Sequence, residues 1–394
     1  MKTVDTVLSP NRIAVIGVGD GGCNAIASMV KQWENGPALT AINTDAQTLY
    51  ANQAPQRIQI GKKLTRGLGT GGDPELGRLA AEDDFNTLRG LFTETDLVFL
   101  VTALGGGTGT GAAPVLARAA HETGALVVVL ATLPFDFEGT QRTALAKKCV
   151  IELQEQADVV IAVPNQSLAA TAGAAATATE AFRQADALIS MGVFAIWKLL
   201  VQRGIMNVDF ATLRTVARCS GGLSTFSYGE GKGPDRAFTA VESALHHPLA
   251  ENTNALTEAE SALISIMGGP DMTLREVEAI MASIKAFCKQ DAHLTVGTTI
   301  DANWEGIISV TIVASQFWRT AEEPTTEPSL LLETEEADKP SSSGKRKKRS
   351  KPTQGQLGFD SIGKGIFKDV EPTYLNGEDL DVPTFHRRRV TIEK

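Results

Sequence analysis

From residue 12 to residue 165 the chain alternates short apolar runs with longer stretches of helical composition. Residues 12–17 (R-I-A-V-I-G), 39–43 (L-T-A-I-N), 57–61, 96–102 (D-L-V-F-L-V-T), 124–134 and 157–165 have strand length and β-branched content. The runs at 124–134 and 157–165 are apolar almost throughout, as strands covered on both faces of a parallel sheet are. Helix formers fill the intervals, at 25–31, at about 74–89 and from 112 onward. This alternation predicts an α/β fold with a Rossmann-like, doubly wound parallel sheet, whose ligands sit at the C-terminal ends of the strands.

The longest glycine-rich interruption is 103–114, A-L-G-G-G-T-G-T-G-A-A-P. A strand precedes it. The helix after it is expected to begin near Ala112, with Pro114 in the first turn, where a missing N–H costs nothing. Glycine backbone at the positive end of a helix suits an anion, above all a phosphate. A tight turn alone would also explain glycines, but the strand before, the helix after and the two threonine hydroxyls favour the phosphate reading. The loop lacks the Gly-Lys-Ser/Thr of a P-loop. Residues 17–24, G-V-G-D-G-G-C-N, come close to the dinucleotide fingerprint G-x-G-x-x-G without matching it. Asp20 in that turn would repel a phosphate unless it points outward or towards a metal. Asn24 has two readings, a helix cap or a hydrogen bond to a base edge. Residues 17–24, 43–45, 105–111, 135–142 and Asn165 all fall at C-terminal strand ends, which gathers them into one expected nucleotide site.

A long amphipathic segment runs from 179 to about 203 and stops at Gly204. Phe182 and Asp186 lie four residues apart on it and so share a face. They fit an ordinary helix with a core aromatic and a solvated acid. They also fit a ring stacked on a base and a carboxylate accepting the paired N–H donors of guanine. Beyond 204 comes a second α/β region, with helices expected at 235–246 and 273–289 and strands at 263–267, 293–299 and 306–314. The resulting division is 1–178 for the nucleotide domain, 179–203 for the central helix, 204–320 for the C-terminal domain, 321–356 for a disordered linker and 357–394 for a tail. The linker is rich in acids, prolines and serines and carries K-R-K-K-R at 345–349, which reads as a solvated charge block or as a nucleic-acid or membrane patch. The tail regains apolar residues, too few for a core but suited to docking on a partner.

Composition narrows the class. Hydrophobic residues make up 43% and charged residues 21%, an ordinary globular balance. A net charge of −9 argues against a nucleic-acid-binding body, so no nucleic-acid partner is expected. Cys23, Cys149, Cys219 and Cys288 are far apart and form no C-x-x-C pair, which suits reduced thiols. No apolar h-region opens the chain and no apolar run approaches the roughly 18 residues of a membrane helix, so a cytoplasmic protein is expected.

Taken in order, G-V-G-D-G-G-C-N, N-T-D-A-Q, K-L-T-R-G-L-G, G-G-G-T-G-T-G-A-A-P, P-F-D-F-E-G, V-P-N and N-V-D-F-A resemble the motifs of the FtsZ family of bacterial cell-division GTPases, homologues of tubulin. The resemblance covers about 11–317 and resumes at 380–388, L-D-V-P-T-F-H-R-R, which is similar to the family's terminal peptide. It implies binding of GTP and GDP together with Mg2+, held either by side chains or only by phosphates and water. Gly21, Gly22, Gly106, Gly107, Thr108, Gly109 and Thr110 match positions that hold the phosphates, and Asp20 and Cys23 belong to the same first loop. Glu138 and Arg142 match ribose contacts. Asn24, Asn165 and Asp186 match guanine contacts, with Phe182 stacking near the base. Subunits in the family join head to tail, and Asn207 and Asp209 match synergy-loop residues that act on the neighbouring subunit's GTP, so hydrolysis depends on assembly. Leu380, Val382, Pro383, Phe385, Arg387 and Arg388 match the partner-binding tail, which implies a membrane adaptor and a cytokinetic ring at the division site on the inner face of the cell membrane.

Three departures stand out. Asp20 stands where the family has glycine, Cys23 replaces another small residue, and Thr212 stands where the synergy loop has a second aspartate. A hydroxyl cannot take a proton from water as a carboxylate can. A second expectation is therefore a GTP-binding paralogue that polymerises or co-polymerises with weak hydrolysis. A third is an NAD-dependent dehydrogenase built on the first glycine turn. It requires an acid about 20 residues on, where Asp45 sits within N-T-D, and it leaves the second glycine loop unexplained.

Overall fold

The computed structural model describes residues 12–33, 36–167, 177–202, 205–208, 210–219, 222–247 and 256–315, with the dipeptides 374–375 and 378–379. Asp209, Lys345, Arg349 and the tail residues Leu380, Val382, Pro383, Phe385, Arg387 and Arg388 lie outside the described residues, as does the expected linker.

The expected strands form and join one ten-stranded sheet. Strands β1 (Ile13–Val18), β2 (Ala38–Asn43), β3 (Gln56–Gln59), β4 (Leu97–Ala103), β5 (Leu126–Leu133) and β6 (Val159–Pro164) are parallel and lie in the order β3-β2-β1-β4-β5-β6. The chain winds outward from β1 to β3 and then returns to the other side of β1 with β4. The β1/β4 boundary is therefore the switch point where such sheets bind ligands. Strands β7 (Gly222–Lys232), β10 (Ile307–Ser315), β8 (Ser261–Gly268) and β9 (His293–Ile300) continue the sheet in that order. β7 runs parallel to β6, and β10 is antiparallel to both β7 and β8.

Alternate residues of each central strand face opposite cores. Val15, Phe99, Ile161, Phe226 and Leu263 belong to one cluster, which helices α1 (Gly19–Gln32) and α8 (Ala178–Val201) complete with Ile26, Met29, Val193 and Trp197. On the opposite face are two separate clusters. One lies under α4 (Pro74–Asp83), α6 (Thr108–His121) and α7 (Thr140–Gln156), and includes Ile16, Val98, Leu100 and Val160. The other lies under α10 (Arg236–Leu245) and α11 (Leu274–Phe287), and includes Ile264, Ile266, Val310 and Ile312. A separate unit, 328–394, contributes an antiparallel pairing of Tyr374–Leu375 with Glu378–Asp379.

Several boundaries differ from the sequence reading. α1 starts at Gly19 and not at 25, and α6 starts at Thr108 and not at 112, so both glycine loops are largely the first turns of helices. Pro114 is consequently the seventh residue of α6, where it cannot donate to the Thr110 carbonyl four residues back. The buried Cys149 thiol donates to that carbonyl instead, at 3.2 Å. The helix expected at 74–89 is divided into α4 and α5 (Phe85–Gly90) because Asp84 leaves helical geometry and accepts from the Gly61 N–H at 2.7 Å. Residues 182–201 of α8 are, contrary to expectation, apolar and long enough to cross a membrane, but more than half of that stretch is buried inside the protein as its central helix.

Candidate functional site

A cleft of about 480 Å³ opens along the C-terminal ends of β1, β2, β4, β5 and β6, within the size range of small-molecule sites. Its lining joins all five of the expected strand-end pieces: Asp20, Gly21 and Asn24; Asn43 and Asp45; Gly106, Gly107, Thr108 and Gly109; Glu138 and Arg142; and Asn165. The central helix α8 adds a sixth group, Phe182 and Asp186.

At one end the N-termini of α1 and α6 converge. A Cβ on Gly19 would lie 2.7 Å from the Gly109 backbone nitrogen. Neither helix is closed by a side-chain cap, whereas Asp73 caps α4, Thr177 caps α8 and Thr273 caps α11. The first-turn N–H groups of α1 and α6 are thus left for a ligand, and both dipoles favour an anion there. The loop glycines serve packing more than ligand approach. A Cβ on Gly107 would collide with Thr70 Oγ1 and come within 2.9 Å of the Asp73 nitrogen. Gly106 alone among the residues 105–107 and 109 has open space at that position, with no positive φ. Below the loop, Thr108 Oγ1 hydrogen bonds to Thr44 Oγ1 at 2.7 Å and to Thr70 Oγ1 at 3.4 Å, tying three loops together.

Asp20 turns towards the end of β2. Asn43 Nδ2 donates to its Oδ1 at 2.8 Å, and the Thr48 hydroxyl donates to the same oxygen at 3.4 Å. Asp45 also lines the cleft, and its carboxylate caps helix α2 (Ala46–Ala51) by accepting from the Gln47 N–H at 2.7 Å.

The other end of the cleft requires hydrogen-bond donors. Asn165 is 4% exposed and its Oδ1 has no partner among the described residues. Burial pushes the Asp186 carboxyl up to about 6, which marks a carboxylate that lacks compensating donors. An amide oxygen and a carboxylate left unsatisfied in one cleft suit a ring that presents adjacent N–H groups. Arg142 donates to Glu138 Oε2 at 2.7 Å, and Glu138 Oε1 in turn accepts from the Phe135 N–H at 2.9 Å. The Phe182 ring meets Phe135 edge-on, with centroids 5.0 Å apart, which fixes an aromatic face at the cleft wall.

Three expected residues do not line the cleft. Gly22 packs its backbone against Gly17 and the Val101 carbonyl. Cys23 is fully buried; its thiol donates to the Ile42 carbonyl at 3.7 Å and is pushed up to about 12 by burial and then by the Asp20 charge. Thr110 accepts from the Gly105 N–H at 2.9 Å and so closes the loop internally. Both Gly22 and Cys23 fall inside α1 because that helix begins early. Asn24 is not a cap, since the N-cap is Val18, and it lines the cleft from the sixth position of the helix. The sequence reading assigned no role to the 68–72 loop or 132–134, both of which line the cleft. The run L-G-T-G-G at 68–72 was the available signal, and Gly69, Gly71 and Gly72 have positive φ there.

Asn207 is exposed and is not in the cleft lining. Its segment is held on β9, where the Met206 N–H donates to Thr298 Oγ1 at 2.6 Å and the Thr298 N–H donates to the Met206 carbonyl at 2.7 Å. Thr212 is the third residue of α9 (Phe210–Cys219).

Comparison with known proteins identifies the family. The sequence model of the Tubulin/FtsZ family, GTPase domain, matches residues 12–173, and that of the FtsZ family, C-terminal domain, matches 222–318. Cell division protein FtsZ 2 of Rhizobium meliloti (strain 1021) is 40% identical over 314 residues, which cover 80% of this chain and 90% of that protein. The chain belongs to the FtsZ family. Cell division protein FtsZ 1 of the same organism is 41% identical over 318 residues, 81% of this chain but 53% of that longer protein, so the chain spans about half the length of some FtsZ relatives. Among solved structures, an FtsZ dimer from M. jannaschii superimposes with a TM-score of 0.72 at 36% identity, over 77% of this chain and 88% of that one. The FtsZ C-terminal match begins at β7, the strand that pairs parallel with β6 on one side and antiparallel with β10 on the other.

Proposed function

We propose that the protein binds GTP in this cleft, polymerises head to tail, and hydrolyses GTP in the filament. The observation that carries the reading is the pairing of an unsatisfied Asn165 Oδ1 with the half-buried Asp186 carboxylate, opposite two uncapped helix N-termini. Guanine offers a ring N–H beside an amino group to such acceptors, whereas adenine does not. Phosphates then lie on the backbone of 106–109, with Glu138 and Arg142 at the ribose and Phe182 beside the base. Among the described residues no three His, Cys, Asp or Glu side chains gather around a metal position. In this reading Mg2+ arrives with the phosphates, keeping water ligands and borrowing at most one or two carboxylates.

Among the described residues the cleft lining holds one cation, Arg142, which is paired with Glu138. Asn207 and Asp209 of the next subunit supply the missing polar groups in this reading, and phosphoryl transfer requires positioning of water more than covalent chemistry. The filament forms a cytokinetic ring at the division site, in the cytoplasm, and the tail around 380–388 recruits it to the membrane through an adaptor. GTP turnover measured against protein concentration tests the proposal, with sedimentation recorded in parallel. A sharp threshold coinciding with sedimentation is expected, and turnover linear in protein from the lowest concentrations would refute the shared site. The identity of residue 212 favours a second reading, a co-polymerising paralogue with weak hydrolysis, because a threonine stands at a carboxylate position. A protein that sediments with GTP but releases no phosphate would select it.

A further inference from the structure

The cleft is acidic for a phosphate site. Its lining holds four carboxylates, Asp20, Asp45, Glu138 and Asp186, and one cation, Arg142. That cation is paired with Glu138 at 2.7 Å. Asp186 lies with Asn165 at the donor-seeking end, but Asp20 does not. It is the second residue of α1, adjacent to Gly19, whose Cβ position is 2.7 Å from the Gly109 nitrogen. Its carboxylate thus lines the cleft from the first turn of α1, whose start adjoins that of α6, and its charge offsets the field that these helix ends offer to an anion. Asn43 and Thr48 hold its Oδ1, while its Oδ2 accepts no hydrogen bond from the described residues. The same charge acts inside the helix, where it adds to burial in raising the Cys23 thiol.

We infer that Asp20 is a specificity-determining residue that sorts nucleotides by the charge of their phosphate chain, disfavouring a bare triphosphate against a diphosphate and making triphosphate binding depend on a divalent cation. The inference rests on the reading of this cleft as a GTP site. A triphosphate brings more negative charge than a diphosphate to the same place, and Coulomb repulsion from a fixed carboxylate grows in proportion. A cation carried on the phosphates cancels that excess. Nothing in this requires Asp20 to touch the ion.

The test is titration calorimetry of GDP and GTPγS with the full chain and its Asp20→Asn variant, at low ionic strength and below the concentration at which the protein sediments. Each titration is run in EDTA and in Mg2+. Asparagine keeps an oxygen for Asn43 and Thr48 and removes only the charge. The full chain is expected to prefer GDP by about tenfold in EDTA and to lose that preference in Mg2+. In the variant the EDTA preference falls to about twofold, so its GTPγS affinity gains correspondingly less from Mg2+. Added salt should shrink the preference of the full chain and leave that of the variant alone, a signature that a merely structural role would not produce. A variant that keeps the full EDTA preference, or a full chain that never shows one, overturns the inference. If both proteins bind in Mg2+ with that result, the GTP reading survives and this inference alone fails. If neither binds guanine nucleotide in Mg2+, both fall together.

Discussion

Replacing Asp186 by asparagine is expected to stabilise the empty protein while weakening its grip on guanine. Burial raises this carboxyl from 3.8 to about 6. Because the folded-state value lies above the unfolded one, the ionised group works against the fold. The penalty is absent below pH 3.8 and complete above about pH 6. A shift of roughly two units corresponds to about 3 kcal/mol as an upper limit. Residual access to solvent cuts this to about 1.5 kcal/mol. For a body of this size that is roughly 3 °C in Tm. Thermal melts of nucleotide-free protein at about pH 7.5 should therefore show Asp186→Asn melting higher, with the gain falling to about half near pH 5, where the native carboxyl is already mostly protonated. The same variant should bind GDP about 100-fold more weakly, since a charged acceptor of two N–H groups has become a neutral amide. A variant that melts no higher at pH 7.5, or whose gain is the same at both pH values, would refute the argument that burial leaves this carboxylate uncompensated.

Cys149→Ala should cost about 1–2 kcal/mol in urea unfolding, because it orphans the Thr110 carbonyl that Pro114 cannot serve. In a Pro114→Ala background, which restores a backbone donor, that cost should disappear, and an undiminished loss would show that the thiol matters only by its bulk. Thr212→Asp is expected to raise phosphate release per sedimented filament without changing nucleotide affinity, and equal turnover in the two proteins would remove Thr212 from the mechanism. Deleting residues 379–394 should leave GTP-driven sedimentation intact and abolish recruitment to the membrane, and unchanged localisation would exclude the tail.

Much of the site was legible because each piece is a strand end. The central strands of the parallel sheet, β1 and β6 among them, are apolar at nearly every position, so their limits show in the sequence, and the polar residue at or just after the end of β1, β2 and β6 is Asp20, Asn43 and Asn165. Helix starts were less legible. Glycine has poor helix propensity, yet Gly19–Gly22 and Thr108–Gly111 are helical because the backbones crowd together: a Cβ on Gly111 would strike the Pro74 carbonyl on α4. The sequence reading gave no element at β7, G-L-S-T-F-S-Y-G-E-G-K, whose three glycines weaken a strand pattern. Its Gly229 and Gly231 are small because α10 lies directly on them, with the Ala240 and Arg236 carbonyls where Cβ atoms would be. Such requirements come from elements distant in sequence, and no local pattern announces them.

The seam between β6 and β7 has a mechanical consequence. Among the described residues three positions are paired across it, Val159 with Gly222, Val160 with Leu223 and Ile161 with Ser224, against eight between β7 and β10. On the α8 face one core runs across the seam through Ile161, Val193, Phe226 and Leu263, whereas on the other face the cores stop on either side. A plate bonded continuously on one surface and divided on the other bends preferentially towards its bonded side. Loads passing between the two halves therefore flex the sheet about α8, and that helix carries Phe182 and Asp186 at the end nearest the cleft.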